Sequence, residues 1–138
     1  MSHVVTVKTQ LNDLGLIKAA LHFMGIEYKE NGKVRMWAEA TTKADLVIIL
    51  PQYDIGIKKG ADGNYMMECD NYAWGEISQH KAMAKYPNRG YGQEQFAGIL
   101  TQATNIIKAQ LIAASQGDEL QLSEPDQNGV IHAQVIQA

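Results

Sequence analysis

Hydrophobic and polar positions alternate in short blocks, punctuated by three Asn-Gly or Asp-Gly pairs at Asn31-Gly32, Asp62-Gly63 and Asn128-Gly129. Such pairs accept the positive φ angles of tight hairpin turns, so each predicts a hairpin between its flanking segments. The β-branched run Val4-Val5-Thr6-Val7 predicts a first strand. Leu14, Ile17, Leu21 and Met24 then recur at helical spacing and predict a helix over about 13–24, capped by Asn12 or Asp13 and ended by Gly25.

Residues 26–29 and 33–37 are expected to pair around Asn31-Gly32. The apolar run 45–50 reads as a buried central strand closed by Pro51, and 53–57 and 64–68 as a hairpin around Asp62-Gly63. A short helix is expected over 76–85, stopped by Pro87. A longer one over 94–115 carries Phe96, Leu100, Ala103, Ile107 and Ala114 on its inner stripe. Residues 120–123 and 130–135 close the chain as a third hairpin. Strand, helix and hairpin occur in that order at both ends, as though one unit were used twice.

These elements predict a single α+β domain over 1–138. It is a two-layer sandwich, with an antiparallel or mixed sheet carrying two main helices on one face. The length permits this, because a chain of 138 residues buries roughly 70% of its unfolded surface. With 46% hydrophobic and 20% charged residues, disorder is excluded. No stretch approaches the roughly 18 apolar residues of a membrane span, no leader-like opening is visible, and Cys69 is the sole cysteine. The expectation is a cytosolic or stromal protein without membrane association.

Candidate chemistry is sparse. His3, His22, His80, His132, Cys69 and Asp70 match no zinc spacing, so no metal or other cofactor is expected. Cys69 lies beside Asp70, which opposes thiolate formation, and no serine sits in a Gly-x-Ser-x-Gly elbow. Residues 60–63 lack the lysine and hydroxyl of a phosphate loop. Asp126 to Gly129 lacks the glutamate of a calcium loop, so both read as turns. No catalytic residue is assigned.

The stretch 72–92 stands apart as an inserted flap. Tyr72, Trp74, Tyr86 and Tyr91 mingle there with His80, Lys81, Lys85 and Arg89, and Glu76 is its only acid. Three readings are open: aromatics that pin the flap to the core, a protein interface, or stacking of single-stranded nucleic acid. A net charge of -3 sets a protein partner ahead of nucleic acid. Tyr53 and Asp54, just after Pro51, form a second candidate, either a turn-fixing pair or, with His3, the rim of a pocket in a small-ligand-binding protein or enzyme. The expected function is therefore binding rather than catalysis, by a small accessory or regulatory protein. Oligomeric state is not legible.

Met1-Ser2-His3, Lys8-Thr9, Asp13-Leu14 and Lys18-Ala19-Ala20-Leu21 resemble the opening of the family known as domain of unknown function 1257, or hypothetical chloroplast reading frame 35. The resemblance continues through Asp45-Leu46-Val47-Ile48 and Tyr53-Asp54-Ile55-Gly56 and returns at Phe96 and Leu100-Thr101-Gln102. It implies a setting in plastids, cyanobacteria, other bacteria or phages, and no defined reaction. Where family members carry an aromatic and histidine cluster after the Thr-Gln pair, this chain has Ala103 to Ile107, so no role of that cluster carries over. That departure, with the long 72–92 stretch, points to a divergent and phage-borne member.

Overall fold

A computed structural model describes residues 4–37, 41–87 and 92–137. Five strands form one sheet: β1 Val4–Lys8, β2 Tyr28–Arg35, β3 Thr41–Ile48, β4 Ile55–Lys59 and β5 Tyr65–Asp70, in the order β1-β5-β4-β3-β2. Every pairing is antiparallel. Helices α1 Leu14–Met24, α2 Ala73–Ser78 and α3 Gln93–Ser115 complete an α+β fold, and β6 Glu119–Leu122 pairs with β7 Ala133–Ile136 in a separate ribbon.

Local chemistry sets α1. The Asp13 side chain accepts a hydrogen bond from Leu16 N, and Gly25 closes the helix at φ 76°, a left-handed conformation in which a Cβ would be strained. Ile17, Ala20 and Leu21 then face the apolar core together with Leu46, Ile48, Ile55, Ile57 and Met67 of the sheet and Phe96, Leu100 and Ala103 of α3.

The hairpin expected at Asn31-Gly32 does not form. One strand, β2, runs straight through that pair and lies against β3, with Lys29 opposite Val47 and Lys33 opposite Lys43. A pairing of two short halves yields to an eight-residue neighbour, because an isolated short hairpin is marginal and the longer ladder buries more. Asn31 still adopts φ 49°, but inside the strand. Its effect is to exchange faces: Tyr28 packs on the helix side, whereas Val34 joins Met36, Ala44 and Val47 in a second apolar cluster. The ends of β2 and β3 thereby close over Gly56, where a Cβ would stand 2.6 Å from Val34 Cγ2 and 3.0 Å from Ala44 Cβ.

The other two turns form as expected, with Gly63 at φ 85° and Gly129 at φ 79°. Their strands are displaced by one to three residues. Tyr53 and Asp54 precede β4, and the last strand starts at Ala133 because Asp126 folds residues 126–130 into a turn, accepting from Asn128 N and Val130 N. β3 is interior but not central; β4 holds the middle. The doubled unit is absent, since the closing hairpin makes its own sheet.

Two helical expectations are also corrected. The helix placed over 76–85 starts at Ala73, where Asp70 Oδ1 receives Tyr72 N at 3.0 Å, and it breaks before a separate 3-10 turn at Lys81–Met83. His80 causes that break: it is extended at ψ 141°, and its Nδ1 accepts from Ala82 N. On α3 the buried stripe runs through Phe96, Ile99, Leu100, Ala103, Thr104, Ile106 and Ala113; Ile107 is half-buried and Ala114 is exposed. A seven-residue repeat drifts off one face of a straight helix, so the stripe leaves 107 and 114.

Candidate functional site

Three loops converge at one end of the sheet. Residue 37 follows β2, residues 51–54 lead into β4, and residue 72 opens α2. They bring Trp37, Tyr53 and Tyr72 together. The Tyr53 and Tyr72 rings stack with centroids 6.1 Å apart and planes at 23°, and Trp37 meets Tyr72 at 6.1 Å and 52°. Trp37 is 52% exposed and Tyr72 50%, in the range where rings face solvent. With Pro51, Gln52, Gly75, Glu76 and Gln79 they line a mainly apolar groove of about 470 Å³.

The carboxylates around this groove are already committed. Asp54, buried beneath it, accepts from Arg35 N at 2.9 Å and from Arg35 Nε and Nη2 at 3.0 and 2.7 Å, with a longer contact from Leu50 N at 3.4 Å. Arg35 Nη2 also donates to the Leu50 carbonyl, and Asp54 N donates to the Arg35 carbonyl. Burial alone would push the Asp54 carboxyl up, but hydrogen bonds and charge from Arg35, with the Leu50 amide, outweigh it and hold the group below the usual carboxylate range. Glu76 reaches across from α2 and accepts from Gln52 N at 2.7 Å and Tyr53 N at 2.9 Å. Asp70 accepts from Trp37 N at 3.1 Å as well as from Tyr72 N. Glu76 and Asp70 thus hold the backbones that carry the three rings, and Asp54 ties the end of β2 to the loop that leads into β4. Partial desolvation, then the charge of Asp70, the Tyr72 ring and the charge of Glu76, push the Tyr53 phenol up, so it stays a neutral donor at physiological pH.

The other sequence candidates separate. Trp74 and Tyr86 are each 3% exposed and belong to the core, Trp74 packing against Phe96 at 6.2 Å. Their rings hold the 72–87 segment down, so replacing Trp74 by alanine empties core volume and does not alter a surface. Among the described residues, Trp74 Nε1 has no hydrogen-bond partner. His80 is consumed by its cap, with burial, then Lys81, lowering its basicity. Lys81 and Lys85 are exposed and are not part of the groove lining. Arg89 and Tyr91, and likewise His3, lie outside the described residues. Tyr53 and Tyr72 are therefore the two candidates that the fold unites.

Trp37 is not among the sequence candidates: it falls at the end of an expected strand, and only its exposure beside Tyr72, decided by folding, marks it out. A second cleft of about 460 Å³ opens where β2 and β3 exchange faces and is lined by Lys33, Lys43, Lys58 and Asp45 among others; Lys58 is occupied there by Thr42 and Glu68 at 3.0 and 3.2 Å.

Among the described residues, no group of His, Cys, Asp and Glu could hold a metal ion, and no helix is long and apolar enough to cross a membrane. No curated protein and no solved structure matches the chain. The family model described as protein of unknown function (DUF1257) matches residues 20–131, which include Asp45 to Ile48, Tyr53 to Gly56 and Phe96 to Gln102 but leave the opening to residue 19 outside. The Tyr53-Asp54-Ile55-Gly56 run has a physical role at every position: a groove ring, a buried anchor, a core side chain and a close backbone approach. With most of its length matched, the chain belongs to the DUF1257 family.

Proposed function

We propose that this is a non-catalytic accessory protein that captures a segment of a partner protein in the Trp37, Tyr53 and Tyr72 groove, in the plastid, cyanobacterial or phage setting the resemblance implies. The observation that carries the reading is the pair of half-exposed rings, Trp37 and Tyr72, held by backbone anchors beside a third ring in an apolar groove. Large rigid aromatics supply contact area at low entropic cost and dominate interface hot spots. The surrounding acids accept backbone amides, which favours a scaffold for recognition over acid-base work. Nucleic acid is disfavoured, because Glu76 and Asp70 surround the rings and two aromatics that could have stacked bases are buried.

Pull-down with Trp37→Ala/Tyr72→Ala tests this. Both side chains are half-exposed, so the variant is expected to keep the wild-type melt and lose its partner; retained capture would remove the groove from the account. A second reading, a small apolar ligand, is favoured by the groove volume, which lies within the usual range for ligand pockets. It predicts quenching or a shift of Trp37 fluorescence by the ligand, absent in Trp37→Phe.

A further inference from the structure

The groove of Trp37, Tyr53 and Tyr72 carries a charge as well as an apolar lining. Glu76 is the one charged residue among those that line it. It lies one helical turn beyond Tyr72, and its N–H donates to the Tyr72 carbonyl at 3.4 Å, so ring and carboxylate stand on the same face of α2. Its two oxygens accept from Gln52 N and Tyr53 N. Hydrogen bonds from neutral amides leave the charge in place, and each oxygen keeps a second lone pair. Among the described residues, no ion pair involves Glu76. Arg35 feels its charge, but that guanidinium is held by Asp54 and the Leu50 carbonyl.

The rings share this sign. The Tyr53 phenol is pushed up by desolvation first and then by Asp70, Tyr72 and Glu76, so the field at the groove is negative. The half-exposed Trp37 and Tyr72 add ring faces that are themselves electron-rich. Beside them Gly75 lies exposed within α2, where a Cβ would meet nothing within 4 Å. Glycine weakens a helix relative to alanine, and among the described residues no neighbour requires it there. Its effect is to leave the helix backbone between Tyr72 and Glu76 open to close approach from outside.

Resting on the reading of this groove as a protein-capture site, we propose that the captured segment presents an arginine, stacked on Trp37 or Tyr72 with its guanidinium forked onto Glu76. Ring faces and a carboxylate both attract a cation, whereas a neutral or acidic occupant would take the Glu76 charge out of water without compensation. A carboxylate that already accepts one amide at each oxygen is best met by a donor serving both oxygens at once. The planar guanidinium does this, and a lysine ammonium, a point charge, does not. A groove of about 470 Å³ with Pro51 in its wall also has room for apolar residues flanking the arginine, which a free cation would leave unused.

Random peptides displayed on phage, selected on the full chain and counter-selected on Trp37→Ala/Tyr72→Ala, test the assignment. Clones that need the two rings are expected to share an arginine whose replacement by lysine weakens binding and by glutamine abolishes it. Ring-dependent clones with no such arginine would overturn the proposal and leave the capture reading standing; the absence of any ring-dependent clone would remove both. Nα-acetylarginine amide binding as tightly as the selected peptides would overturn the segment as the source of the cation. Charge is read separately at Gln79, an exposed groove residue at the end of α2. Toward a selected arginine peptide, Gln79→Lys should weaken and Gln79→Glu strengthen binding, each by roughly threefold at low salt, with melting curves like that of the wild type. Equal affinities of the two folded variants would overturn the proposal.

Discussion

Asp54 offers the sharpest test of how the groove is built. Replacing it with alanine removes the acceptor for two backbone amides, Arg35 N and Leu50 N, and for the Arg35 guanidinium. Losing one member of a buried ion pair costs about 3–5 kcal/mol. The Arg35 side chain is 48% exposed and recovers water once released, whereas the carboxylate is 2% exposed, so the lower end applies, about 3 kcal/mol. For a chain of this size that corresponds to a melting temperature lowered by roughly 10 °C. Arg35→Ala should cost roughly 2 kcal/mol, and in an Asp54→Ala background almost nothing, giving a coupling of about 2 kcal/mol in a double-mutant cycle.

The pH dependence has a definite sign. Because the folded carboxyl lies below its unfolded value of about 3.9, the stabilisation is complete above that value and is lost as pH falls through the folded one. Wild type and Asp54→Asn should therefore diverge toward neutral pH and converge in acid, as read by urea titration from pH 2 to 7. A loss below about 1 kcal/mol in Asp54→Ala, parallel pH profiles, or a cycle coupling near zero would refute the clamp, since each lies outside the range for a buried pair.

Gly56→Ala should destabilise by about 1–3 kcal/mol, because its new Cβ overlaps Val34 Cγ2, and the penalty should shrink in a Val34→Ala background; equal penalties in both backgrounds would place the clash elsewhere. The Cys69 thiol is buried and pushed up to about 12, by burial first and then by Asp70 and Glu68, so a native-state thiol reagent at neutral pH should label it only on unfolding. Rapid stoichiometric labelling of the folded chain would contradict its burial.

The elements legible in the chain were those governed by neighbouring residues. Asp13 and Gly25 bound α1 because a cap and a left-handed terminator act within one turn of helix, and the turns at Gly63 and Gly129 form because their backbone angles suit glycine wherever the strands lead. The inner face of α1 was visible for the same reason: its 3.6-residue period is local. Asn31-Gly32 carries the same turn chemistry yet lies inside a strand, since whether a residue of positive φ reverses the chain or twists a strand depends on the partner β3 offers. The aromatic groove was legible in part, through Tyr53 and Tyr72. It is complete only with Trp37, and Asp54 acquires its role only from Arg35, 19 residues away. Periodicity and turn propensity act over a few residues. Which ring meets which ring, and which carboxylate is buried beside which guanidinium, depend on strand register, and only the assembled sheet determines that.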